Sequence, residues 1–505
     1  MGLDQTISMD KHLVGGIAWS AAAKWSSQIF TWASLLIVAR LLVPSDFGLV
    51  GMALVYLGLA QKFSEFGFGT AVITLRDLTK EQVRQLNTFS VFSGAVGFLF
   101  SCAAAIPLGW FFKAERLPAV VVVMSTAFLM SGFQTVPSSL LQKDLRFKTL
   151  SVIETVAVMG QALGTLVLAF FGFGYWALVG GNIICVAASA GLSILYCPCG
   201  FAPPQFRSIR HAIKFSWQVL VARLAWNLYS DADFLVAGRV LGAAPLGAYT
   251  FAWNLATMPI EKVSALVGRV TPAFFSAVQT EAAALRRYLR TLTEAVALVT
   301  FPATLGLALT AREFVNLALG EKWTGVIVPL ELLAFYASFR SITTLLPQVL
   351  TAIRDTRYVM WNTLVAVLLL PTAFYLGSHW QTQGIAWAWI LAYPFIAVPL
   401  YGRVFRRIGM SVKEYLGAIR PASDGALAMV ILVSTLKRVI PSAWPLYVRF
   451  TLEVLCGAAS YIGVILILHG NRLRAFAKVV QQLRIPRATD SKTGNSGNSL
   501  NSRND

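Results

Sequence analysis

Residues 173–195 read FGYWALVGGNIICVAASAGLSIL, a run of 23 residues that contains no charged side chain. A helix of this length spans about 30 Å, which is the thickness of the hydrocarbon core of a bilayer. A strand in the same place would leave backbone hydrogen-bonding groups unsatisfied in lipid. The run therefore predicts a transmembrane helix.

The same pattern recurs on both sides of this run. It predicts an all-α polytopic membrane protein with about 14 transmembrane helices, because each run is about long enough to cross a bilayer. The weakest run is 422–441, which has Lys437 and Arg438 near its end. The runs lie at 13–39, 47–73, 88–112, 118–141, 149–171, 173–195, 215–240, 247–275, 291–310, 325–351, 360–378, 382–404, 422–441 and 445–468.

Composition agrees with a membrane protein. The 505 residues are 56% hydrophobic and 13% charged, whereas a soluble domain carries about 25% charged residues. The net charge of +19 does not indicate nucleic acid, because the basic residues fall mainly between the apolar runs. The five scattered cysteines predict no disulfide framework, and Cys197 and Cys199 are interpreted as small apolar residues at a helix end.

Lys and Arg concentrate in every second loop. The opposite loops are short and hold few bases, namely Lys113, Arg116, Arg312 and Lys322. The positive-inside rule then places both termini in the cytoplasm. The basic loops carry Arg76, Lys80, Arg84, Lys143, Arg146, Lys148, Arg207, Arg210, Lys214, Arg286, Arg287, Arg290, Arg354, Arg357, Arg403, Arg406, Arg407, Lys413 and Arg420.

The chain contains an internal repeat. Residues 39–56 (ARLLVPSDFGLVGMALVY) are similar to residues 238–255 (GRVLGAAPLGAYTFAWNL) at an offset of 199, which aligns Arg40 with Arg239 and Gly48 with Gly247. Two six-helix bundles related by a pseudo-two-fold axis along the membrane normal follow from such a repeat. The predicted divisions are a cytoplasmic N-terminus (1–12), a first lobe (13–200), a linker (201–214), a second lobe (215–410), helices 13 and 14 (411–470), and a basic amphipathic segment with a disordered tail (471–505).

Polar side chains inside the apolar runs are candidates for a substrate site, since such groups are costly in lipid. Lys24 and Gln28 lie in the first run, and Arg223 and Asn227 occupy the repeat-equivalent positions in the seventh. Spacing of four places each pair along one helix face, so the two pairs would line opposite walls of a central cleft. With Arg340, midway along the tenth run, they predict a cationic surface for an anionic, sugar-bearing substrate. The alternative is a structural polar contact between helices.

A second group comprises candidates for coupling or gating: Asp231, Lys62, Glu65, Glu261 and Lys262. Asp231 would instead neutralise Arg223 in a structural interpretation, and the Lys62–Glu65 and Glu261–Lys262 neighbours would be plain ion pairs.

Three isolated acids, Glu154, Asp233 and Glu294, are each more consistent with a structural role, although any could carry a coupling proton. The sequence shows no nucleotide-binding motif, metal-ligand cluster or catalytic constellation. We therefore expect no enzyme activity, no metal and no cofactor.

Four stretches resemble one known family: 39–73, 140–155 (LLQKDLRFKTLSVIET), 231–263 (DADFLVAGRVLGAAPLGAYTFAWNLATMPIEKV) and 319–334 (LGEKWTGVIVPLELLA). They are similar to polysaccharide repeat-unit (Wzx-type) flippases of the multidrug/oligosaccharidyl-lipid/polysaccharide exporter superfamily. The likeness covers about residues 10–420. It is nearest to the colanic-acid-exporter-like branch of lipopolysaccharide biosynthesis proteins.

The resemblance implies a V-shaped pair of lobes that flips undecaprenyl-pyrophosphate-linked oligosaccharide repeat units across the bacterial cytoplasmic (inner) membrane by alternating access. The product would serve exopolysaccharide or lipopolysaccharide O-antigen synthesis. Expected partners are the lipid-linked oligosaccharide, membrane lipids and a polysaccharide polymerase, but no nucleic acid. The alternatives are a cation-coupled small-molecule or multidrug exporter of the same superfamily and a membrane-embedded glycosyltransferase, which would need large loops.

Overall fold

The computed structural model describes Gln28 and residues 30–75, 78–203, 230–279, 281–441 and 443–484, together with positions 213, 216, 217 and 220. Helices joined by turns and short loops account for these residues. The helices are α1 (Phe30–Leu41), α2 (Pro44–Glu65), α3 (Phe68–Thr74), α4 (Lys80–Phe112), α5 (Leu117–Lys143), α6 (Phe147–Phe170), α7 (Tyr175–Tyr196), α8 (Ala232–Leu241) and α9 (Ala243–Ala277). They continue as α10 (Ala282–Leu309), α11 (Ala311–Ala318), α12 (Ile327–Thr343), α13 (Leu346–Ala352), α14 (Thr356–Gly377), α15 (Gln381–Ile408), α16 (Val412–Val439) and α17 (Leu446–Arg484).

The structure is that of a multi-pass membrane protein. Within the described residues, nine helical segments are long and apolar enough to span a membrane, or ten if the bent pair α1 and α2 is included. One of the nine is the continuous stretch 356–408, in which α14 and α15 fold back on each other around Gly377 and Gly384. Each of the 14 apolar runs overlaps a described helix, and the count of 14 spans stays a prediction.

Two of the predicted spans are interrupted, so their prediction as continuous helices is wrong. The second run breaks between α2 and α3, where Phe66 and Gly67 take positive φ angles of 46° and 73° that end a right-handed helix. The tenth run lies within one candidate span, Glu321–Ala352, in which a turn at residues 344–345 separates α12 from α13. The seventh run contains a turn at Asp231, immediately before α8.

The loops lie on two opposite faces of the molecule. The segments after α3, α5, α7, α9, α13 and α15 form one, which we call the basic face. Hydrogen bonds join these segments directly, as between Lys143 Nζ and the Leu75 carbonyl (3.1 Å) and between Arg286 and the Gly409 carbonyl (3.0 Å). The segments after α1, α4, α6, α8, α10, α14 and α16 form the other, the crossing face. These contacts agree with the alternation of loops predicted from the charges, and the side of the membrane on which each loop lies stays a prediction.

On the basic face, Asp355 connects the segment after α13 to the end of α15. Its Oδ2 accepts hydrogen bonds from Arg403 Nε at 2.7 Å and Arg407 Nε at 3.0 Å. The hydrogen bond from Arg403, reinforced by that from Arg407, lowers the pKa of the Asp355 carboxyl. The carboxylate thus stays ionised and holds two basic side chains in place.

The two halves of the chain meet where α2 crosses α9. A Cβ added to Gly48 would lie 1.6 Å from the carbonyl oxygen of Ala243, and one added to Gly247 would lie 1.8 Å from that of Pro44. At the repeat offset of 199, Pro44 corresponds to Ala243 and Gly48 to Gly247. The repeat therefore makes the two contacts equivalent, and the pseudo-two-fold axis passes through this crossing.

The last two helices pack onto the second half of the chain. Residues of α16 and α17 share a hydrophobic core with α10, α13 and α15. The hydroxyl of Tyr461 on α17 also donates to the Leu298 carbonyl on α10 at 2.9 Å. Residues 471–484, predicted as a basic amphipathic segment, continue the backbone of α17. The predicted N-terminus (1–12), most of the predicted linker (201–214) and the tail from residue 485 lie outside the described residues.

Candidate functional site

Helices α2 and α9 touch at one end and separate along their length. Gly51 and Gly58 lie seven residues apart, on one face of α2 with Gly48. A Cβ at Gly48 would clash with backbone, one at Gly51 would only touch the Thr250 side chain at 3.6 Å, and one at Gly58 would meet no atom within 4 Å. At these three glycines the contact between the helices is therefore tightest near the crossing face and loosest toward the basic face. We call the space between the two halves on the basic side the cleft.

Two arginines related by the repeat each reach the other half of the molecule at the closed end. Arg40 Nε at the end of α1 donates to the Ala318 carbonyl at the end of α11, 2.8 Å away. Arg239 at the end of α8 lies over the Phe111 ring of α4, 5.3 Å from its centroid. A cation at the carboxyl end of a helix is electrostatically favourable, so Arg40 stabilises the closed end.

A buried tryptophan completes the closure. Trp323 Nε1 donates to the Ala39 carbonyl at 2.7 Å. Its ring also packs against Phe47 of α2 and Phe251 of α9, with centroids 5.2 Å and 4.8 Å away. The crossing face is thus sealed by rings from both halves of the chain.

Along the wider part of the cleft, predicted site residues from the two halves come together. Lys262 Nζ of α9 donates to Gln28 Oε1, which precedes α1, at 2.6 Å. Lys62 on α2 and Asp231, which precedes α8, lie close enough for an electrostatic interaction. Gln28, Lys62 and Asp231 are partly buried and Lys262 is exposed. The hydrogen bond between Lys262 and Gln28 thus crosses the boundary between the halves.

Arg340 lies in the second half, on α12. Its guanidinium is 5.2 Å from the centroid of the Trp253 ring on α9. Trp253 lies three residues after Thr250, where α2 and α9 are starting to separate. Lys24, Arg223 and Asn227, the remaining predicted cavity residues, are outside the described part of the chain.

Each of the two predicted glutamates has an uncharged polar neighbour on its own helix. Gln61 Nε2 donates to Glu65 Oε1 at 3.0 Å, one helical turn apart on α2. Thr257 Oγ1 lies 3.5 Å from Glu261 Oε1 on α9. Glu65 therefore accepts a hydrogen bond from a side-chain amide on its own helix.

A polar cavity of about 290 Å³ opens beside Gln61 and Glu65. It lies between α2, α3 and α5 in the first half of the chain. Among the described residues, its lining consists mostly of uncharged polar side chains. The lining residues are Gln61, Glu65, Gly67, Gly69, Thr70, Ile73, Ser131, Gln134, Thr135, Ser138, Ser139 and Gln142.

Sequence reasoning missed this cavity, although its signal was present. Six polar residues of α5, namely Ser131, Gln134, Thr135, Ser138, Ser139 and Gln142, recur every three or four positions in an otherwise apolar run. That spacing predicts one polar helix face. Charged residues in the apolar runs do not reveal this polar face, because none of the six is charged.

Asp233 is the acid that the structure encloses most completely. Its Oδ2 accepts hydrogen bonds from the Tyr249 hydroxyl at 2.7 Å and from Trp389 Nε1 at 3.1 Å, while its Oδ1 accepts from the Phe234 amide at 2.9 Å. The side chain is fully buried. As their spacing of two predicts, Asp231 and Asp233 face different surroundings.

These residues offer groups that can bind a polar ligand. The described part of the chain contains no group of three His, Cys, Asp or Glu side chains placed to hold a metal ion. Lys62, Lys262 and Arg340 offer ammonium and guanidinium groups, and the cavity beside Glu65 offers mainly uncharged polar groups. Such a combination suits a ligand with an anionic part and a hydroxylated part.

Known proteins show what the chain is similar to. Residues 37–328 match the family described as "Polysaccharide biosynthesis protein". The lipopolysaccharide biosynthesis protein WzxC of Escherichia coli K12 is 25% identical over 81% of this chain and 84% of its own length. The teichuronic acid biosynthesis protein TuaB of Bacillus subtilis 168 is 26% identical over 66% of this chain and 70% of its own.

Among solved structures, the lipid II flippase MurJ in an inward closed conformation superposes with a TM-score of 0.72. The match covers 90% of this chain and 100% of that chain at 13% sequence identity. The fold is therefore shared, while the low identity transfers no residue role.

Proposed function

The chain belongs to the polysaccharide biosynthesis protein family, and on that premise we propose that it is a flippase for lipid-linked oligosaccharide repeat units. It moves undecaprenyl-pyrophosphate-linked units across the bacterial cytoplasmic membrane for exopolysaccharide or lipopolysaccharide O-antigen synthesis. Both termini lie in the cytoplasm, since the basic face carries most of the loop cations. A polysaccharide polymerase is the proposed downstream partner.

The observation that carries this proposal is the graded separation of α2 and α9. Backbone contact at Gly48 and Gly247 joins the two halves near the crossing face, whereas a Cβ at Gly58 would meet no atom within 4 Å. We take the crossing face as the closed side and the basic face as the open side. A cleft closed on one side, between two halves related by a two-fold axis, is the geometry required for alternating access. With the basic face in the cytoplasm, the described conformation accepts substrate from the inside.

The side chains of the cleft match the proposed head group. Pyrophosphate and sugars cannot cross hydrocarbon unaided, because their polar groups would lose their water. Lys62, Lys262 and Arg340 can replace that water with charge-assisted hydrogen bonds. We assign the same role to Lys24 and Arg223, which the repeat places at equivalent depths of the first and seventh spans. The lipid tail would remain in the bilayer.

The test is a deletion of the gene followed by complementation. We expect deletion to accumulate the lipid-linked repeat unit inside the cell, and the K62A/K262A double variant to restore surface polysaccharide at least about tenfold less well than wild type. Each lysine would lose a charge-assisted hydrogen bond worth about 1.5–3 kcal/mol. K322A is the matched control, because Lys322 is an exposed lysine on the crossing face.

Two outcomes would contradict the proposal. One is a deletion strain that accumulates no lipid-linked intermediate and becomes sensitive to cationic drugs, which would favour the small-molecule exporter. The other is full complementation by K62A/K262A, which would remove these lysines from the transport path. Membrane levels of each variant, measured by immunoblot, separate loss of transport from loss of protein.

A further inference from the structure

We infer that Trp253 is a positioning residue for transport, whose indole ring holds the Arg340 guanidinium in place for the pyrophosphate of the substrate. The inference rests on the proposed function, which assigns Arg340 to the phosphate, and deepens it by naming the side chain that supports this arginine. The guanidinium carbon lies over the Trp253 ring, 5.2 Å from its centroid. A cation–π interaction forms within about 6 Å of a ring centroid.

Arg340 lies in the interior of a membrane-spanning segment. The candidate span is Glu321–Ala352, so Arg340 is 19 residues from its beginning and 12 from its end. The residue is half-buried, and a guanidinium is costly within a membrane unless a neighbour stabilises it. A carboxylate would stabilise it by cancelling the charge. The ring of Trp253 stabilises the cation and leaves its positive charge available to attract a phosphate.

The contact also suits the way in which a guanidinium binds phosphate. Arginine presents five N–H donors in a planar fork that matches phosphate oxygens. Contact with a ring face uses none of these donors, whereas a hydrogen bond to an oxygen atom uses one. An arginine side chain that rests on a fixed surface also loses less rotamer entropy when a ligand binds. Trp253 therefore supports Arg340 without competing with the substrate.

The indole ring of Trp253 is itself held by other rings of the second half. Its centroid lies 5.2 Å from that of Trp389 and 5.8 Å from that of Phe234. Trp389 is buried, and its Nε1 donates to the Asp233 carboxylate at 3.1 Å. The surface that supports Arg340 is thus fixed to the core of the second half.

The experiment measures binding of farnesyl pyrophosphate, a prenyl pyrophosphate with a short chain, to the purified full-length protein in nanodiscs by isothermal titration calorimetry. We expect W253L to weaken binding about fivefold, the effect of losing a cation–π contact in a partly desolvated site. W253F keeps an aromatic face and should recover most of this loss. R340A should weaken binding more than W253L does, because it removes the charge itself.

A double-mutant cycle separates positioning of Arg340 from other roles of the ring. If Trp253 acts through Arg340, W253L should have no further effect on binding in the R340A background. Equal weakening by W253L in both backgrounds would overturn the inference, since the ring would then act on the fold or directly on the ligand.

A second measurement keeps the shape of the side chain and changes only its charge distribution. Fluorine substituents withdraw electrons from the indole ring and so weaken its attraction for a cation. Replacing Trp253 with monofluorotryptophan and then with difluorotryptophan should therefore weaken binding of the probe stepwise. An affinity that does not change on fluorination would overturn the inference, and this test does not depend on the folding of W253L.

A matched control comes from a second pair of the same kind on the basic face. The Arg403 guanidinium lies 5.1 Å from the centroid of the Tyr358 ring. Y358L removes this ring and should leave binding of the probe unchanged. Equal weakening by Y358L and W253L would overturn the inference.

Failure here can be told apart from failure of the proposed function. If deletion accumulates the lipid-linked intermediate and R340A weakens binding, but fluorination of Trp253 has no effect, the proposed function stands and the inference fails. If R340A binds the probe like wild type, the inference fails together with the assignment of Arg340 to the phosphate. If deletion accumulates no intermediate, the proposed function itself fails, whatever the binding measurements show.

Discussion

Asp233 illustrates how far a single residue can be understood from the chain alone. Its position two residues after Asp231 predicts a different face, and the structure places it in the interior of the second half. Its partners could not be predicted, because Tyr249 and Trp389 are 16 and 156 positions away. Only tertiary packing brings three donors onto one carboxyl group.

The hydrogen bonds to the Asp233 carboxylate predict that this residue stabilises the fold and takes no part in transport. In D233N, the amide must point its NH₂ group either at Tyr249 and Trp389 or at the Phe234 amide, so donors face donors in both orientations. We expect a loss of stability of about 2–3 kcal/mol for D233N and about 1–2 kcal/mol for Y249F. The measurement is the apparent unfolding midpoint of the purified protein in nanodiscs.

Y375F serves as the control, because Tyr375 is an exposed tyrosine and its hydroxyl should contribute little. If D233N unfolds at the same temperature as Y375F yet fails to transport, Asp233 is not an anchor. The coupling role considered for this acid from the sequence would then be the better interpretation.

At the scale of helices, the sequence reveals the repeat but does not predict how the two repeated halves pack against each other. Aligning Gly48 with Gly247 predicts two related halves, but sequence similarity does not say which surfaces of those halves meet. The structure shows that each glycine packs on the residue four positions before the other, at Ala243 and Pro44. The break after α2 was also missed, because a 27-residue apolar run conceals the positive φ angles at Phe66 and Gly67.

The packing at this crossing predicts that a methyl group added at Gly48 disturbs the contact between α2 and α9. In a background without the five native free cysteines, G51C and T250C should form a disulfide readily, since a Cβ at Gly51 lies 3.6 Å from Thr250 Oγ1. Adding G48A forces a Cβ into the Ala243 carbonyl and should slow that crosslink about tenfold, because overpacking costs about 1–3 kcal/mol. The rate is followed by gel shift after mild oxidation.

G58A is the matched control on the same helix, where a Cβ meets no atom within 4 Å. It should leave the crosslinking rate unchanged. A rate unaffected by G48A would mean that α2 and α9 are not held together by this contact.

At the scale of the whole molecule, the sequence identifies a membrane protein made of two related lobes, and the structure adds the way in which the last two helices attach to the second lobe. The attachment at the crossing face is ionic. Lys437 Nζ at the end of α16 lies 2.6 Å from Glu313 Oε2 on α11 and 3.5 Å from Glu453 Oε2 on α17. Sequence reasoning noted Lys437 only as a weakness of its span, because both acids are distant in the chain.

This shared lysine predicts that α16 and α17 move with the second lobe as one body during transport. K437A would leave two carboxylates, whose side chains are 4% and 0% exposed, without their common cation, and Glu313 would keep only the longer ion pair to Arg449, at 3.9 Å, among those described. Removing one member of a buried ion pair costs about 3–5 kcal/mol, so we expect a large fall in the unfolding midpoint and faster proteolysis of the segment between α16 and α17.

The neighbouring R438A should have little effect, because Arg438 is exposed. Adding E453Q to K437A removes one of the stranded charges and should recover part of the loss. If K437A and R438A behave alike, the ion pairs do not attach the helices, and α16 and α17 are free to move separately from the lobe.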